Sequence, residues 1–264
     1  IIEFTSDVTY EYVIVINGEV LNEDFLIRLR ASHSQAKFIL YMWDSLENFS
    51  DSKKILKCFD KVFSFDHEDC EKYSLNFLPL FYYEKCGNAE YLKTDKQYDY
   101  VFIGTIKKGK IEHIRLIFDQ LDKHGYTSYK YLYLQSRLVY LYYKFKYKEF
   151  KHVKMSMFKY KRLSNDECNN ITCKANIVVD VPMKSQNGLT IRVFETLSRG
   201  QKLLTTNANI VNYDFYNENQ IYVYDGNKMD FNSAFFTGKK YIYNEKIEKY
   251  HIEHWLDTLM ETGE

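Results

Sequence analysis

At 264 residues the chain has room for two modest domains with real hydrophobic cores, and its 36 basic against 36 acidic side chains leave no global charge that points to nucleic acid. Five cysteines, odd in number and without a C-x-x-C pair, fit reduced thiols in a cytoplasmic protein rather than a disulfide framework. No apolar run reaches the length of a membrane-spanning helix and no signal peptide opens the chain, whose first residue, Ile1, leads us to expect a missing upstream segment.

Residues 12–17 read as a buried strand, with Asn17-Gly18 as its exit turn. Leu21, Phe25, Leu26 and Leu29 fall at helical spacing, and Asn22 is a suitable N-cap ahead of Glu23 and Asp24. Lys37–Met42 is a second strand that ends at Trp43-Asp44-Ser45. A short helix over Ser52–Cys58 leads to a third strand, Lys61–Phe65, and Asp66-His67-Glu68-Asp69 makes the acidic first turn of another helix. Strands alternating with helices at this pace predict a parallel, Rossmann-like sheet, thin at three strands. The polar, aperiodic stretch 86–97 predicts a linker that separates a first domain, 1–85, from a second, 98–245.

The second domain opens on the strand Tyr98–Ile103. Gly104-Thr105 then begins a loop with Lys107, Lys108 and Lys110, which can either touch a diphosphate or stand as a solvated basic loop. The helix Ile111–His124 turns Ile114, Ile117, Phe118 and Leu121 inward and stops at Gly125. From Tyr129 to Arg162 ten Lys or Arg residues face a single acid, Glu149, among many aromatics. Three readings are open for 129–162: a helix half in the core with snorkelling lysines, a peripheral contact with an anionic membrane surface, or nucleic-acid stacking, for which no other motif speaks. Leu138, Leu141, Tyr142 and Phe145 share one side of its helix. Ser164-Asn165-Asp166-Glu167 is a capping box. A last strand is expected at Ile221–Asp225, and a terminal amphipathic helix over Tyr243–Thr258 with Ile247, Tyr250 and Trp255 on its apolar side.

The most informative stretch is Asn187-Gly188-Leu189-Thr190-Ile191-Arg192-Val193-Phe194-Glu195, set between the apolar runs Ala175–Val181 and Lys202–Thr206. Strand, loop, helix and strand form a βαβ unit. Leu189, Val193 and Leu197 fall on one helix face, with Arg192, Glu195 and Arg199 away from it and Gly200 at the stop. A glycine loop at a helix N-terminus beyond a strand end favours phosphate, which Arg192 can hold while Glu195 accepts from ribose hydroxyls. The bland alternative is a surface helix with Arg192–Glu195 and Glu195–Arg199 ion pairs.

This stretch, followed by Gly200-x-Lys202-Leu203-x-Thr205-Thr206-Asn207, resembles the donor-site segment of GT-B glycosyltransferases, in particular bacterial lipopolysaccharide and capsular polysaccharide biosynthesis proteins related to the CgeB-like group. Tyr12–Glu19, Leu40–Ser45, Phe59–Asp66 and Tyr100–Thr105 are similar to segments of that group in the same order. The resemblance implies an α/β fold of two Rossmann-like domains, with the first βα units of the N-terminal one absent or reduced, and a terminal helix, 246–264, that packs back toward it. It implies transfer of a sugar from a nucleotide-sugar donor to a polysaccharide or lipid-linked oligosaccharide acceptor, without a metal or other cofactor. Gly104, Thr105, Gly188, Leu189, Thr190, Arg192, Glu195 and Asn207 are the expected donor contacts. Many retaining members carry two glutamates eight positions apart, and Asn187 stands at the first of them here, which gives weight to a second reading, a non-catalytic remnant with a binding or assembly role. Among strand-end carboxylates, Asp44 and then Glu19 are the candidate bases for the acceptor hydroxyl. His251-x-x-His254 lacks a third metal ligand.

Overall fold

The computed structural model describes residues 2–5, 7–49, 51–83, 95–184 and 186–260, so the expected linker, 86–97, lies almost wholly outside the described residues. The chain divides into two compact units: one from Ile1–Phe81, Ser185–Leu189 and Lys249–Glu264, the other from Tyr82–Lys184 and Thr190–Glu248.

In the first unit four parallel strands, β1 (Tyr12–Ile16), β2 (Lys37–Met42), β3 (Lys61–Ser64) and β4 (Asn76–Phe77), lie side by side in chain order. β2 is inner and covered on both faces; Phe38 to Met42 are all buried, the continuous apolar run that a parallel strand requires. β1, expected to be buried, is an edge strand. Ile14 and Ile16 are therefore more than a third exposed, while Val13 and Val15 pack inward. The two-residue β4 was not foreseen, because Asn76-Phe77 is too short to carry a period. Helix α1 (Glu23–Ser32) begins where its cap predicts: the Asn22 side chain accepts from the Phe25 N–H at 2.9 Å, and Leu26 and Leu29 are buried. Helix α2 (His67–Tyr73) is capped by Asp66, which accepts from the Glu68 N–H at 3.0 Å. Near the chain end a 3-10 segment, Glu245–Tyr250, precedes an α-helix over Ile252–Met260, in place of the single helix expected from Tyr243. Within this unit Trp255 meets Tyr41 edge-on, their ring centroids 4.7 Å apart.

The second unit is a six-stranded, all-parallel sheet of β5 (Tyr98–Thr105), β6 (Ser128–Tyr133), β7 (Phe158–Lys159), β8 (Ala175–Asp180), β9 (Lys202–Thr205) and β10 (Ile221–Val223). Its spatial order is β10-β9-β8-β5-β6-β7, so the winding reverses between β5 and β8. Helix α3 (Ile111–Lys123) places Ile114, Ile117, Phe118 and Leu121 in the core with Tyr100 and Phe102. Helix α4 (Arg137–Lys146) starts from Ser136, whose side chain accepts from the Val139 N–H, and α5 (Asn165–Cys173) carries the full capping box between Ser164 and Glu167. Helix α6 (Ile191–Ser198) buries Val193, Phe194 and Leu197. It ends in a Schellman turn: Gly200, at φ +69, donates to the Leu197 carbonyl and Gln201 to that of Thr196.

Candidate functional site

A reversal of winding leaves a crevice at the carboxyl ends of the two strands that flank it. In the second unit these strands are β5 and β8, and the chain delivers charge there from both sides. The loop after β5 brings Lys107 and Lys110. β8 ends on Asp180, only 2% exposed, and the first turn of α6 carries Arg192, whose Nη1 lies 3.4 Å from Asp180 Oδ1. Lys110 sits among Asp180, Arg192 and Lys107; burial depresses its pKa, with Asp180 opposing that shift and the two cations adding to it. Lys110 and Arg192 thus both lie near the Asp180 carboxylate in a partly dehydrated place. Asp180 Oδ2 and Thr190 Oγ1 are both buried without a hydrogen-bond partner among the described residues. Such a cluster is short of negative charge and of polar contacts, and a phosphate-bearing ligand supplies both.

Beside it, at the carboxyl ends of β5 and β6, a cleft of about 280 Å³ is lined by Thr105, Lys107, Lys108, Gln135, Tyr143 and Met183. Thr105 is exposed at its rim, whereas Gly104 is inside β5 with its Cα against the Phe102 ring. Glu195 is half-buried one turn along α6 from Arg192, and Asn207, beyond β9, caps the next turn by accepting from the Asn209 N–H at 3.0 Å.

Gly188 and Leu189 belong to the first unit, where Gly188 is closely packed. Its Cα faces the Phe65 ring and the Phe65 carbonyl, so that a Cβ would come within 2.7 Å of both. The N–H groups of Asn187 and Gly188 point to the buried Asp66 carboxylate, at 3.3 and 3.4 Å. Leu189 is a core residue. Arg199, placed on the outer face of α6 by its spacing, is 3% exposed and donates to Asn169 Oδ1, and Arg192 pairs with Asp180. Of the candidate bases, Asp44 is half-buried and its Oδ1 accepts from the Ser45 N–H and from Asn48, while Glu19 is exposed in the turn after β1. His67 is exposed, with its ring stacked on Phe77. Among the described residues no group of three His, Cys, Asp or Glu side chains is disposed to hold a metal ion.

Asp180 escaped the sequence reading. It stands inside the run Val178-Val179-Asp180-Val181, and the one signal available was a lone carboxylate in an otherwise apolar strand.

No protein-family model matches the chain, and no curated protein does. Solved structures do match over nearly its whole length. An alpha-glucosyltransferase, in complex with UDP and a 13-mer DNA containing a central A:G mismatch, superposes with a TM-score of 0.51 at 10% identity, over 98% of this chain and 74% of its own. The chain has the GT-B glycosyltransferase fold. The crystal structure of TarM gives a TM-score of 0.52 at 13% identity, over 98% of this chain and 57% of TarM. The lipopolysaccharide outer core galactosyltransferase WaaB, in its apo form, gives 0.49 at 10% identity, over 97% of this chain and 75% of WaaB. At such identities the likeness is one of GT-B architecture, and residue roles have to come from the site itself.

Proposed function

We propose that the chain is a glycosyltransferase that moves a sugar from a nucleotide-sugar donor to a glycan or lipid-linked glycan acceptor in cell-surface polysaccharide synthesis. The observation that carries this reading is the Lys110–Asp180–Arg192 cluster at the switch point of a GT-B sheet. In such a transfer the bond from the sugar to the diphosphate breaks, a bond from the sugar to the acceptor oxygen forms, and the nucleoside diphosphate leaves with its added charge. Lys110 and Arg192 are suited to hold that charge, and Asp180 fixes the guanidinium that does so. Glu195 is the candidate for the ribose hydroxyls. The acceptor proton needs a base, and Asp44, then Glu19, are the candidates for it.

The test is a thermal-shift titration with UDP, GDP, CDP, ADP and TDP in the absence of metal. At a hundredfold excess over Kd the bound form gains about 2.7 kcal/mol, which for a chain of this size raises Tm by roughly 5–11 °C. One nucleotide should do this selectively, and Arg192→Ala should abolish the shift without lowering Tm by more than a few degrees. No shift with any of the five counts against the reading and favours the alternative, a non-catalytic subunit. One observation supports that alternative: the amides of Asn187 and Gly188, which a phosphate at this loop would need, already face Asp66.

A further inference from the structure

Helix α4 exposes the side that a globular protein would be expected to bury. Leu138 is 77% exposed, Leu141 40%, Tyr142 50% and Phe145 86%. At about 100° per residue these four fall within one arc of about 100°. The opposite arc, Val139, Tyr140 and Tyr143, packs on the core. Between the two arcs stand Arg137 and Lys144 on one flank and Lys146 on the other, all exposed, with the Lys146 ammonium against the Tyr142 hydroxyl. Exposed Lys148, Lys151 and Lys154 follow directly, on a turn pinned to the core by Phe150 and Val153. The one acid of the region, Glu149, is half-buried and accepts from the Gly109 N–H at 2.8 Å. The rim of the apolar stripe is therefore of a single sign.

We infer that this face of α4 is a membrane-docking surface that inserts its Leu138–Phe145 stripe among the acyl chains of an anionic bilayer while its basic rim meets the lipid headgroups. A stripe of about 100° on a short helix, flanked by lysines, suits the interfacial zone, where apolar side chains enter to a depth of about 5–10 Å and each cation near the surface adds to binding. The charge selects this occupant. A second copy of the chain would oppose one basic rim to another, and Leu138 and Leu141, two of the four stripe residues, offer nothing to stacked bases. Tyr143, on the core side of α4, lines the cleft at the ends of β5 and β6, so docking would hold that cleft beside the lipid surface. The inference does not rest on the nucleotide reading; a chain that binds no nucleotide would dock in the same way.

The test is co-sedimentation of the whole chain with vesicles of phosphatidylcholine alone or with roughly 30 mol% phosphatidylglycerol, with sedimentation velocity run alongside without lipid. The chain should partition onto the anionic vesicles at least about tenfold more strongly than onto neutral ones, and lose most of that advantage as salt is raised. Leu138→Ser with Phe145→Ser should cut binding by about tenfold or more at unchanged Tm, since both side chains are exposed. Lys144→Gln, Lys146→Gln and Lys148→Gln together should lower anionic binding alone. Absence of pelleting, equal binding to both vesicles, or wild-type binding by the serine double variant would each overturn the inference. So would a lipid-free dimer that the same double variant dissolves, which would make the face a protein interface.

Discussion

Replacing Gly188 by alanine decides what that glycine is for. A Cβ there would stand 2.6 Å from two carbon atoms of the Phe65 ring and 2.7 Å from the Phe65 carbonyl oxygen, about 1 Å inside ordinary contact. The ring cannot swing away into solvent, because Phe65 is 1% exposed. Moving the carbonyl disturbs the next residue, Asp66, which holds the N–H groups of Glu68, Asn187 and Gly188. Overpacking of this kind costs about 1–3 kcal/mol, and with a backbone atom among the obstacles the upper end applies. At about 2–4 °C per kcal/mol, the ligand-free Gly188→Ala protein should melt roughly 6–12 °C lower, as read by calorimetry. Phe65→Leu removes the ring atoms and leaves the carbonyl oxygen, so in a double-mutant cycle the pair should be less destabilised than the sum of the singles by about 1 kcal/mol. If Gly188→Ala melts with the wild type and instead loses nucleotide binding, the glycine serves the approach of a ligand and the packing argument is wrong.

Three further outcomes follow from the geometry. Burial depresses the Lys110 pKa below its ordinary 10.5, so its charge opposes folding at neutral pH and that opposition fades as pH rises toward 10.5. Lys110→Met should therefore be more stable than wild type in urea at pH 7, lose that advantage at high pH, and bind the nucleoside diphosphate about tenfold more weakly by calorimetry; a less stable variant at pH 7 would contradict this sign. Lys96, half-buried with its ammonium on the Cys173 carbonyl at 2.8 Å, is lowered by burial to a pKa of about 8. Between that value and 10.5 the unfolded chain holds the proton that the folded one releases, so wild type should gain stability over Lys96→Met across this window, and parallel pH profiles would refute it. Gly200→Ala must adopt φ +69 with its Cβ against the Tyr241 ring, and should cost about 2 kcal/mol or more in urea unfolding; a neutral result would mean that Tyr241 moves freely.

Much of the architecture is legible in the sequence where a local rule decides it. Asn22 and Ser164 cap helices with the hydrogen bonds that their side chains predict, and apolar runs such as Phe38–Met42 become inner parallel strands. The misses share a cause: their outcome was set by what lies alongside. Ser128–Tyr133 becomes β6 although its alternating tyrosines and lysine read as a basic aromatic stretch, because pairing with β5 fixes its register. Ile14 and Ile16 are exposed because no strand lies beyond β1 among the described residues. The close packing of Gly188 on Phe65 was not foreseen, because nothing local announces a residue more than a hundred positions earlier. Asp180 became visible only when β8 was set next to β5, which brings its carboxylate to Lys110. Helical spacing grouped Leu138, Leu141, Tyr142 and Phe145 correctly, but spacing cannot say which face of a helix the core takes.

The first unit is assembled from three separated pieces of chain, and the Trp255 that covers Tyr41 lies in the last of them. During synthesis the sheet of β1 to β4 leaves the ribosome long before that tryptophan exists. At about 5–20 residues per second, the stretch from Tyr82 to Glu248 takes roughly 10–30 s to make. Throughout that interval the Tyr41 surface is uncovered on a nascent chain, and by its end everything needed to complete the second unit is present. The order of completion therefore runs against the order of the sequence: the later unit can finish first, and the earlier one waits for its last piece. A stop codon ahead of Trp255 would make that waiting state permanent.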